Sequence, residues 1–420
     1  MRQPKILTTL RTYTWPLFAG DLFAGITVAM VAIPLSLAIA IASGAAPETG
    51  IVTAIVGGLL ISLLGGSRVQ IGGPTGAFIV VVFGVIAEHG YDGLVLATFM
   101  AGLILLVAGY FRAGRLIAYV PEAVVNGFTI GIALIIATSQ LKDFAGFDMA
   151  RPPADFVAQV AALWGARETL NVAAVLLAVF TMVVIIAIRR KAAWFPGPIL
   201  AVAAASAIAL LGGLSVDTIG ARFGTVSAAL PVPSLPAISL ERIVELVPSA
   251  IVIAFLAGVE SLLSAMVADR MVSGTHRPNA ELLAQGSANI ASALFGGLPA
   301  TGAIARTATN VRAGGRTPVA GIVHALVVLA VMLLAGNLVS YLAMPALAGL
   351  LMMTAWNMSE PHKWRGYWAA PAADRFLLVS TLVLTVAVDL TVAIGVGVSI
   401  GLALRLARRR PPQDWHLPDR

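Results

Sequence analysis

Two short stretches in opposite halves of the chain share the arrangement of residues that decides the fold. Residues 65–78 read GGSRVQIGGPTGAF, and residues 296–310 read GGLPATGAIARTATN. In each, glycines and a proline precede a Thr-Gly-Ala triplet, which begins at Thr75 or Thr301 and opens a short apolar segment. Glycine and proline interrupt helices, and a bilayer tolerates interrupted backbone only where protein or a cavity encloses it. The pair predicts two broken helices at matching places, provided that the chain spans a membrane.

The composition of the chain indicates that it spans a membrane. Of the 420 residues, 59% are hydrophobic and only 11% are charged, whereas a soluble domain carries about 25% charged residues. The 41 glycines suit close packing of helices in lipid. We therefore predict an all-α integral membrane protein that crosses the lipid bilayer many times.

Several functional classes are disfavoured by the residues that the sequence lacks. It has no cysteine, no His-Glu-x-x-His or Gly-x-Ser-x-Gly motif and no metal-ligand spacing. Its net charge of +7 comes from basic residues scattered at the ends of apolar segments and not from a contiguous patch. We expect neither an enzyme nor a nucleic-acid-binding protein, and no cofactor or metal.

Hydropathy, interrupted by glycine, proline and charge, divides the chain into fourteen predicted spans. They cover residues 21–42, 50–64, 75–88, 93–111, 121–140, 171–188, 198–213, 247–268, 280–295, 301–311, 317–335, 338–356, 374–390 and 392–406. With a cytoplasmic N-terminus and alternating spans, 21 of the 27 lysines and arginines lie inside, five lie outside and Arg306 lies within a span. This asymmetry follows the positive-inside rule and predicts fourteen spans with both termini in the cytoplasm. We expect the membrane to be a bacterial inner membrane.

The two Thr-Gly-Ala triplets open the third and the tenth spans, which are equivalent positions in two repeats of seven helices. Because seven is odd, the second repeat is predicted to be inverted relative to the first. Interrupted spans at matching places in two halves indicate the binding site of a transporter. Two half-helices that start near the middle of the membrane direct N–H groups and positive dipole ends at one point, which attracts an anion.

Three polar residues within spans are candidates for chemistry at that point. Arg306 lies one turn into the tenth span, where its planar guanidinium suits oxyanion oxygens; an ion pair with Glu260 or snorkelling to an interface is the alternative. Glu260 of the eighth span could couple protons, neutralise Arg306 or form core hydrogen bonds. His324 of the eleventh span stands alone among apolar residues, for which hydrogen-bonded packing is the simplest expectation.

Longer stretches of the sequence resemble the sulfate permease (SulP) family, whose animal members are solute-carrier anion exchangers. They are AGVESLLSAMVADRMVSG at 257–274, NAELLAQG at 279–286, FGGLPATGAIARTATNVRAGGRTP at 295–318, Gly73-Pro74-Thr75 of the third span and the fifth-span stretch 121–146. The resemblance implies fourteen helices in two inverted repeats of seven. A homodimer is expected by analogy alone.

The resemblance also implies a division into two domains. Spans one to four and eight to eleven, residues 1–118 and 247–336, would form a core domain that carries the ligand. Spans five to seven and twelve to fourteen, residues 119–246 and 337–408, would form a gate domain, followed by a cytoplasmic tail at 409–420. Family members usually continue into a STAS domain, whereas this sequence stops about fifteen residues after the last span, so we expect a natural short form or a truncation.

Residue by residue, the anion site of the family maps onto three spans of this chain. It comprises Thr75, Gly76, Ala77 and Phe78 on one side and Thr301, Gly302, Ala303 and Arg306 on the other, with Ser36 of the first span facing them. Family substrates include sulfate, bicarbonate, chloride, oxalate and C4-dicarboxylates. The first span departs from the family's Pro-Gln-x-x-Ala-Tyr, since Pro34 is followed by LSLAI, which leaves the substrate open.

One leading function and two alternatives follow. The leading prediction is a secondary active transporter of small anions such as sulfate, bicarbonate or fumarate, working by proton-coupled symport and alternating access. A nucleobase–proton symporter of the same architecture would direct Glu260 at the base, although Arg306 at the binding point argues against it. A passive anion channel would use the same dipoles and the same arginine.

Overall fold

The computed structural model describes residues 3–114, 120–149, 153, 155–192, 195–225, 227–272, 274–388 and 390–408. We number the helices that form the spans α1 to α13. They are α1 Trp15–Ala42, α2 Pro47–Leu64, α3 Ile79–Tyr110, α4 Glu122–Ala145, α5 Val172–Lys191, α6 Gly197–Leu211, α7 Leu240–Val272, α8 Pro278–Leu294, α9 Ile304–Arg312, α10 Val319–Val339, α11 Met344–Met358, α12 Ala372–Ala387 and α13 Leu390–Arg408. The predicted tail at 409–420 and the predicted domain boundary between 118 and 119 lie outside the described residues.

Short elements connect these helices. They are the α-helices Ile6–Thr9, Phe156–Gly165, Ile219–Phe223 and Trp364–Ala369, the 3-10 helices Leu10–Thr12, Gly76–Phe78, Arg167–Thr169 and Pro361–Lys363, and the strands β1 Gly72–Gly73 and β2 Thr301–Gly302. In the described part of the chain, the regular elements are therefore helices, with two strands of two residues each.

Helix α3 contains two spans. Its backbone breaks at Gly90, where φ is +72°, a conformation that favours glycine. The arms 79–89 and 91–110 are the third and fourth spans, and the other twelve helices supply the rest. Seven helices in the described residues are long and apolar enough to cross a bilayer by themselves, while others, such as the nine-residue α9, are shorter. The prediction of fourteen spans is confirmed.

The boundary between the eleventh and twelfth spans differs from the prediction. The predicted twelfth span begins at residue 338, but α10 continues to Val339 and α11 begins at Met344. Met344 donates its N–H to the Asp217 carbonyl at 2.9 Å, and Ala343 forms a β-bridge with Thr218. The prediction placed the break at Gly336 and Asn337, but both residues lie within α10.

The packing of the helices repeats between the two halves. The fourth span, in α3, packs on α7 and α8, and its counterpart α10 packs on α1 and α2. The fifth span, α4, packs on the thirteenth, α12, and correspondingly the twelfth span, α11, packs on the sixth, α5. Helices α4 and α11 also contact each other. Each contact therefore has a counterpart in which every span is replaced by the span seven places away. Such an exchange is what two structurally equivalent repeats produce.

The start of α1 is tied to the second repeat through a buried carboxylate. Asp21 is fully buried and accepts hydrogen bonds from the N–H groups of Arg316 and Thr317, at 2.8 and 3.1 Å, and from the Thr317 hydroxyl. Tyr13 donates to the same carboxylate at 3.0 Å. Burial and then the charge of Asp21 raise the pKa of Tyr13 to about 12, so the phenol stays protonated as a donor at physiological pH.

The start of α7, in the second repeat, is held by a contact that is more exposed to solvent. Near the start of α7, the Glu245 carboxylate lies 3.1 Å from His89 Nδ1, just before the fourth span. The Glu245 side chain is 54% exposed, whereas Asp21 is fully buried. The contacts of Asp21 near the start of α1 and of Glu245 near the start of α7 therefore differ in solvent access.

Candidate functional site

The two broken segments meet in an antiparallel ladder that joins the halves of the molecule. Gly72 pairs with Gly302, and Gly73 pairs with Thr301. The ladder satisfies backbone groups that the interrupted helices leave without helical partners. Pro74 follows β1 on the way to α3, so both half-helices begin beside the crossing.

Polar side chains of α7 and α8 support the crossing from one side. Gln70 Nε2 donates to Ser261 Oγ at 2.8 Å. Glu281 is fully buried and accepts from Ser261 Oγ, Gln285 Nε2 and the N–H of Gly66 at 2.8, 2.9 and 2.8 Å. These residues were not predicted to belong to the site. The available signal was a glutamate and two glutamines within largely apolar segments, which indicates polar groups that need partners.

Arg306 of α9 is buried at the crossing. Only 1% of the residue is exposed, and its Nη2 donates to Ser36 Oγ and to the Pro74 carbonyl, each at 3.0 Å. The Nε and Nη1 atoms are buried without a hydrogen-bond partner among the described residues. Because buried donors are rarely left unpaired, these atoms are suited to an acceptor such as an oxyanion.

Two glycines of the third-span segment bring other groups close to the crossing. At Gly73, where φ is +150°, a Cβ atom would lie 2.3 Å from Arg306 Nη1. At Gly76, a Cβ atom would lie 2.9 Å from Met358 Sδ and 3.6 Å from Ile136 Cδ1. The first glycine therefore makes room for the guanidinium, and the second borders on α4 and α11.

Glu260 of α7 contacts the third-span segment. The Thr75 hydroxyl donates to Glu260 Oε2 at 2.8 Å, and the glutamate is half-buried. No ion pair joins Glu260 to Arg306 within the part of the chain that the structure describes. The geometry thus gives Glu260 a hydrogen bond but no direct bond to the arginine.

The other predicted site residues are buried around the ladder. The Thr301 hydroxyl donates to the Ala257 carbonyl at 2.9 Å, so it is directed into the protein. Phe78 belongs to the apolar core, and Gly302 packs against Gln70. Ala77 and Ala303 are buried at the two helix starts. The structure therefore brings Ser36, Thr75 and Arg306 to the crossing and engages the Thr301 hydroxyl elsewhere.

His324 of α10 is fully buried, as its apolar neighbours predict. Neither ring nitrogen has a hydrogen-bond partner among the described residues, which differs from the expected hydrogen-bonded packing. A Cβ atom at Gly58 of α2 would lie 3.7 Å from His324 Cε1. The imidazole thus packs against α2 without a polar contact to it.

Comparison with known proteins identifies the family. A family model described as the sulfate permease family matches residues 18–381. The putative sulfate transporter YvdB of Bacillus subtilis (strain 168) is 43% identical over 378 residues, which cover 90% of this chain and 71% of that protein. The bicarbonate transporter BicA of Synechocystis sp. is 32% identical over 380 residues, which cover 88% of this chain and 66% of BicA. The chain thus spans about two thirds of the length of BicA.

A solved structure agrees with the sequence relatives. The transmembrane domain of a cyanobacterium bicarbonate transporter BicA matches with a TM-score of 0.82 and 32% identity, covering 91% of this chain and 99% of that domain. The match confirms the architecture of fourteen helices in two inverted repeats. The relatives are transporters and not enzymes. With the family model matching most of its length, the chain belongs to the sulfate permease family of membrane transport proteins.

Proposed function

We propose that this protein is a secondary active transporter of small anions. The observation that carries the proposal is Arg306, a buried guanidinium at the start of two half-helices. Its Nε and Nη1 have no hydrogen-bond partner among the residues that the structure describes. A fixed positive charge and converging N–H dipoles stabilise an anion strongly where water is excluded. The proposed site comprises Ser36, Thr75, Gly76, Ala77, Phe78, Thr301, Gly302, Ala303 and Arg306.

The proposed substrate class is a small oxyanion: sulfate, bicarbonate or a C4-dicarboxylate such as fumarate. A guanidinium offers planar, charged donors that match the oxygens of such anions. The names of the relatives YvdB and BicA point to sulfate and bicarbonate respectively. A nucleobase would leave the charge of Arg306 without a counter-charge, which makes that alternative the weaker one.

We assign proton coupling to Glu260. Its carboxylate accepts a hydrogen bond from Thr75, the first residue of the proposed third-span site. Protonation would remove a negative charge close to the anion, so proton and anion would each favour binding of the other. Glu260→Gln should therefore weaken proton-driven uptake more than exchange of preloaded anion, because exchange needs no net proton movement. Equal loss in both assays would assign Glu260 to binding or structure.

Alternating access would come from the core domain moving against the gate domain, with the boundaries predicted above. Supporting this, the side chains nearest Gly76 are Met358, Ile136 and Thr354 of α11 and α4. These side chains present mainly apolar atoms to the site, and such a surface can slide without breaking charged contacts. The charge asymmetry of the loops supports placement in a bacterial inner membrane with both termini in the cytoplasm.

Uptake into proteoliposomes under an inward proton gradient tests the function. Labelled sulfate, bicarbonate, fumarate and uracil would be compared for the wild type, Arg306→Ala, Arg306→Lys and the matched control Arg190→Ala, whose side chain is exposed. We expect one anion to be concentrated, with a loss of about 100-fold in Arg306→Ala because two or more charged hydrogen bonds disappear. Arg306→Lys should retain part of the activity and the control all of it.

Two outcomes would overturn this assignment while leaving the fold intact. Uracil uptake would favour the nucleobase symporter. Anion flux that ignores both the gradient and Arg306 would favour a channel without this site.

A further inference from the structure

The linker between the twelfth and thirteenth spans lies at one surface of the membrane. Helix α11 ends at Met358 and α12 begins at Ala372, and the chain between them forms the 3-10 helix Pro361–Lys363 and the short helix Trp364–Ala369. Because both flanking helices are spans, the linker lies close to the level of the lipid headgroups. The charge asymmetry of the loops predicts that this surface is cytoplasmic.

Three exposed tryptophans mark this surface. Trp356 near the end of α11 and Trp364 and Trp368 of the linker are 56, 41 and 73% exposed. The rings of Trp356 and Trp364 meet edge to face, with centroids 5.8 Å apart. Trp364 Nε1 also donates to the Ser359 carbonyl at 2.7 Å, which holds that ring against the end of α11. Tryptophan concentrates where a membrane meets water, because its ring is apolar and its N–H is polar.

A basic side chain from another helix is bonded beside these rings. Arg189, in the last turn of α5, donates from Nη1 to Asn357 Oδ1 at 3.3 Å, and Asn357 follows Trp356 directly. Arg365 follows Trp364 in the linker, and both arginines are exposed. We name Trp356, Trp364, Trp368, Arg189 and Arg365 the interfacial surface. It combines apolar rings with guanidinium groups at the edge of the membrane.

The one carboxylate in the sequence of the linker is engaged within the linker itself. Glu360 Oε2 lies 2.9 Å from Lys363 Nζ and accepts a hydrogen bond from the Tyr367 hydroxyl at 3.1 Å. Neither Arg189 nor Arg365 forms an ion pair among the residues that the structure describes. The interfacial surface therefore offers two positive charges whose counter-ions come from outside the described chain.

We propose that the interfacial surface binds the headgroups of anionic phospholipids, with its tryptophan rings beside the acyl chains and its two guanidinium groups on the phosphates. A guanidinium matches phosphate oxygens with two parallel donors. Tryptophan favours the boundary between headgroups and acyl chains. A free phosphate ion would contact the arginines but leave the rings in water, so a lipid accounts for both features. This inference depends neither on Arg306 nor on the transported anion.

An arginine on the surface predicted to be extracellular supplies a matched control. Arg167 lies over the ring of Trp164, 5.0 Å from its centroid, and Trp164 is 71% exposed. However, Arg167 Nη2 lies 3.6 Å from the Glu168 carboxylate. This site has the same two residue types but its own counter-charge, so we expect it to be indifferent to anionic lipid.

Thermal unfolding of the full chain in detergent tests the proposal with short-chain lipids. Dioctanoyl phosphatidylglycerol, dioctanoyl phosphatidylcholine and inorganic phosphate are titrated separately, and the concentration that gives half of the rise in Tm is measured. The variants are Arg189→Gln, Arg365→Gln and the double variant, with Arg167→Gln as the control. Arg365→Lys keeps the charge but loses the planar fork.

We expect phosphatidylglycerol to raise Tm in the wild type and in Arg167→Gln at the same concentration. That concentration should increase about fivefold in each single variant and about 25-fold in the double variant, because each arginine adds separately to the attraction of anionic headgroups. Arg365→Lys should lie between the wild type and Arg365→Gln. An equal response to phosphatidylcholine, an equal response to inorganic phosphate, or a double variant that responds like Arg167→Gln would overturn the proposal.

Discussion

The third-span and tenth-span breaks share a Thr-Gly-Ala triplet and pair with each other, but Thr75 follows β1 whereas Thr301 lies in β2, and the two threonines have different partners. Thr75 donates to the carboxylate of Glu260, and Thr301 donates to the backbone carbonyl of Ala257 in the same helix. One hydroxyl therefore contacts a titratable group, and the other serves a peptide group. The same triplet therefore takes different places in the two halves, as the start of a 3-10 helix in one and as a strand in the other.

The helices that follow the breaks differ still more. Arg306 stands five residues after Thr301, and Val80 stands five residues after Thr75. Helix α9 has nine residues and buries Arg306, Thr307 and Asn310, whereas the arm 79–89 is mostly apolar. A symmetric pair of helix starts thus frames a site whose positive side chain comes from one repeat only.

The first prediction compares the two residues that stand five positions after the triplet threonines. Arg306→Ala should lower anion uptake by about 100-fold, because the charged donors at the crossing are lost. Val80→Ala should change uptake by less than about twofold, because it removes only methyl groups beside the half-helix. Uptake of the anion into proteoliposomes, normalised to folded protein, measures both. A comparable loss in Val80→Ala would show that the two breaks contribute equally.

The second prediction compares the ties at the starts of α1 and α7. Asp21→Asn should lower the free energy of unfolding by about 2 kcal/mol, because a buried carboxylate with several donors is replaced by an amide. Glu245→Gln should change it by less than about 0.5 kcal/mol, because that pair is half-exposed. Thermal or chemical unfolding in detergent measures the difference. Equal losses in the two variants would show that the burial of Asp21 does not make its contacts more stabilising than those of Glu245.

The third prediction concerns the space beside the guanidinium. Gly73→Ala places a Cβ atom 2.3 Å from Arg306 Nη1, so the side chain must move and anion affinity should fall about tenfold. Gly84→Ala is the matched control, because nothing lies within 4 Å of its Cβ position. Substrate titrations of transport separate the two. An unchanged affinity in Gly73→Ala would remove Arg306 Nη1 from the site.

The smallest predicted effects come from the two threonines. Thr301→Val should cost about 1 kcal/mol of stability, because it leaves the Ala257 carbonyl without this donor. Thr75→Val should leave stability closer to the wild type but shift the pH dependence of uptake, because Glu260 loses its hydrogen bond. Unfolding curves and uptake between pH 5 and 8 test the pair. Identical pH profiles of uptake for both variants would show that the hydrogen bond from Thr75 to Glu260 does not affect the pH dependence.

The sequence was sufficient for the fold because its signals are local. Hydropathy, charge asymmetry and the repeated Thr-Gly-Ala triplet predicted the number of spans and the inversion. The structure and the solved relative confirm both, apart from the boundary between the eleventh and twelfth spans. It could not predict the buried network of Gln70, Ser261 and Glu281, since those contacts join distant segments. It also could not place the partners of Thr75 and Thr301, because identical triplets gave no reason to expect different bonds.

The ladder between β1 and β2 has a consequence for how the protein is made. Its strands come from opposite halves of the chain, so the interrupted backbone of the third span finds its partner only after the tenth span has been synthesised. Until then, Gly72 and Gly73 carry peptide groups that lipid cannot satisfy. The core of the protein therefore has to close late during membrane insertion, and the first repeat alone would leave those groups unpaired.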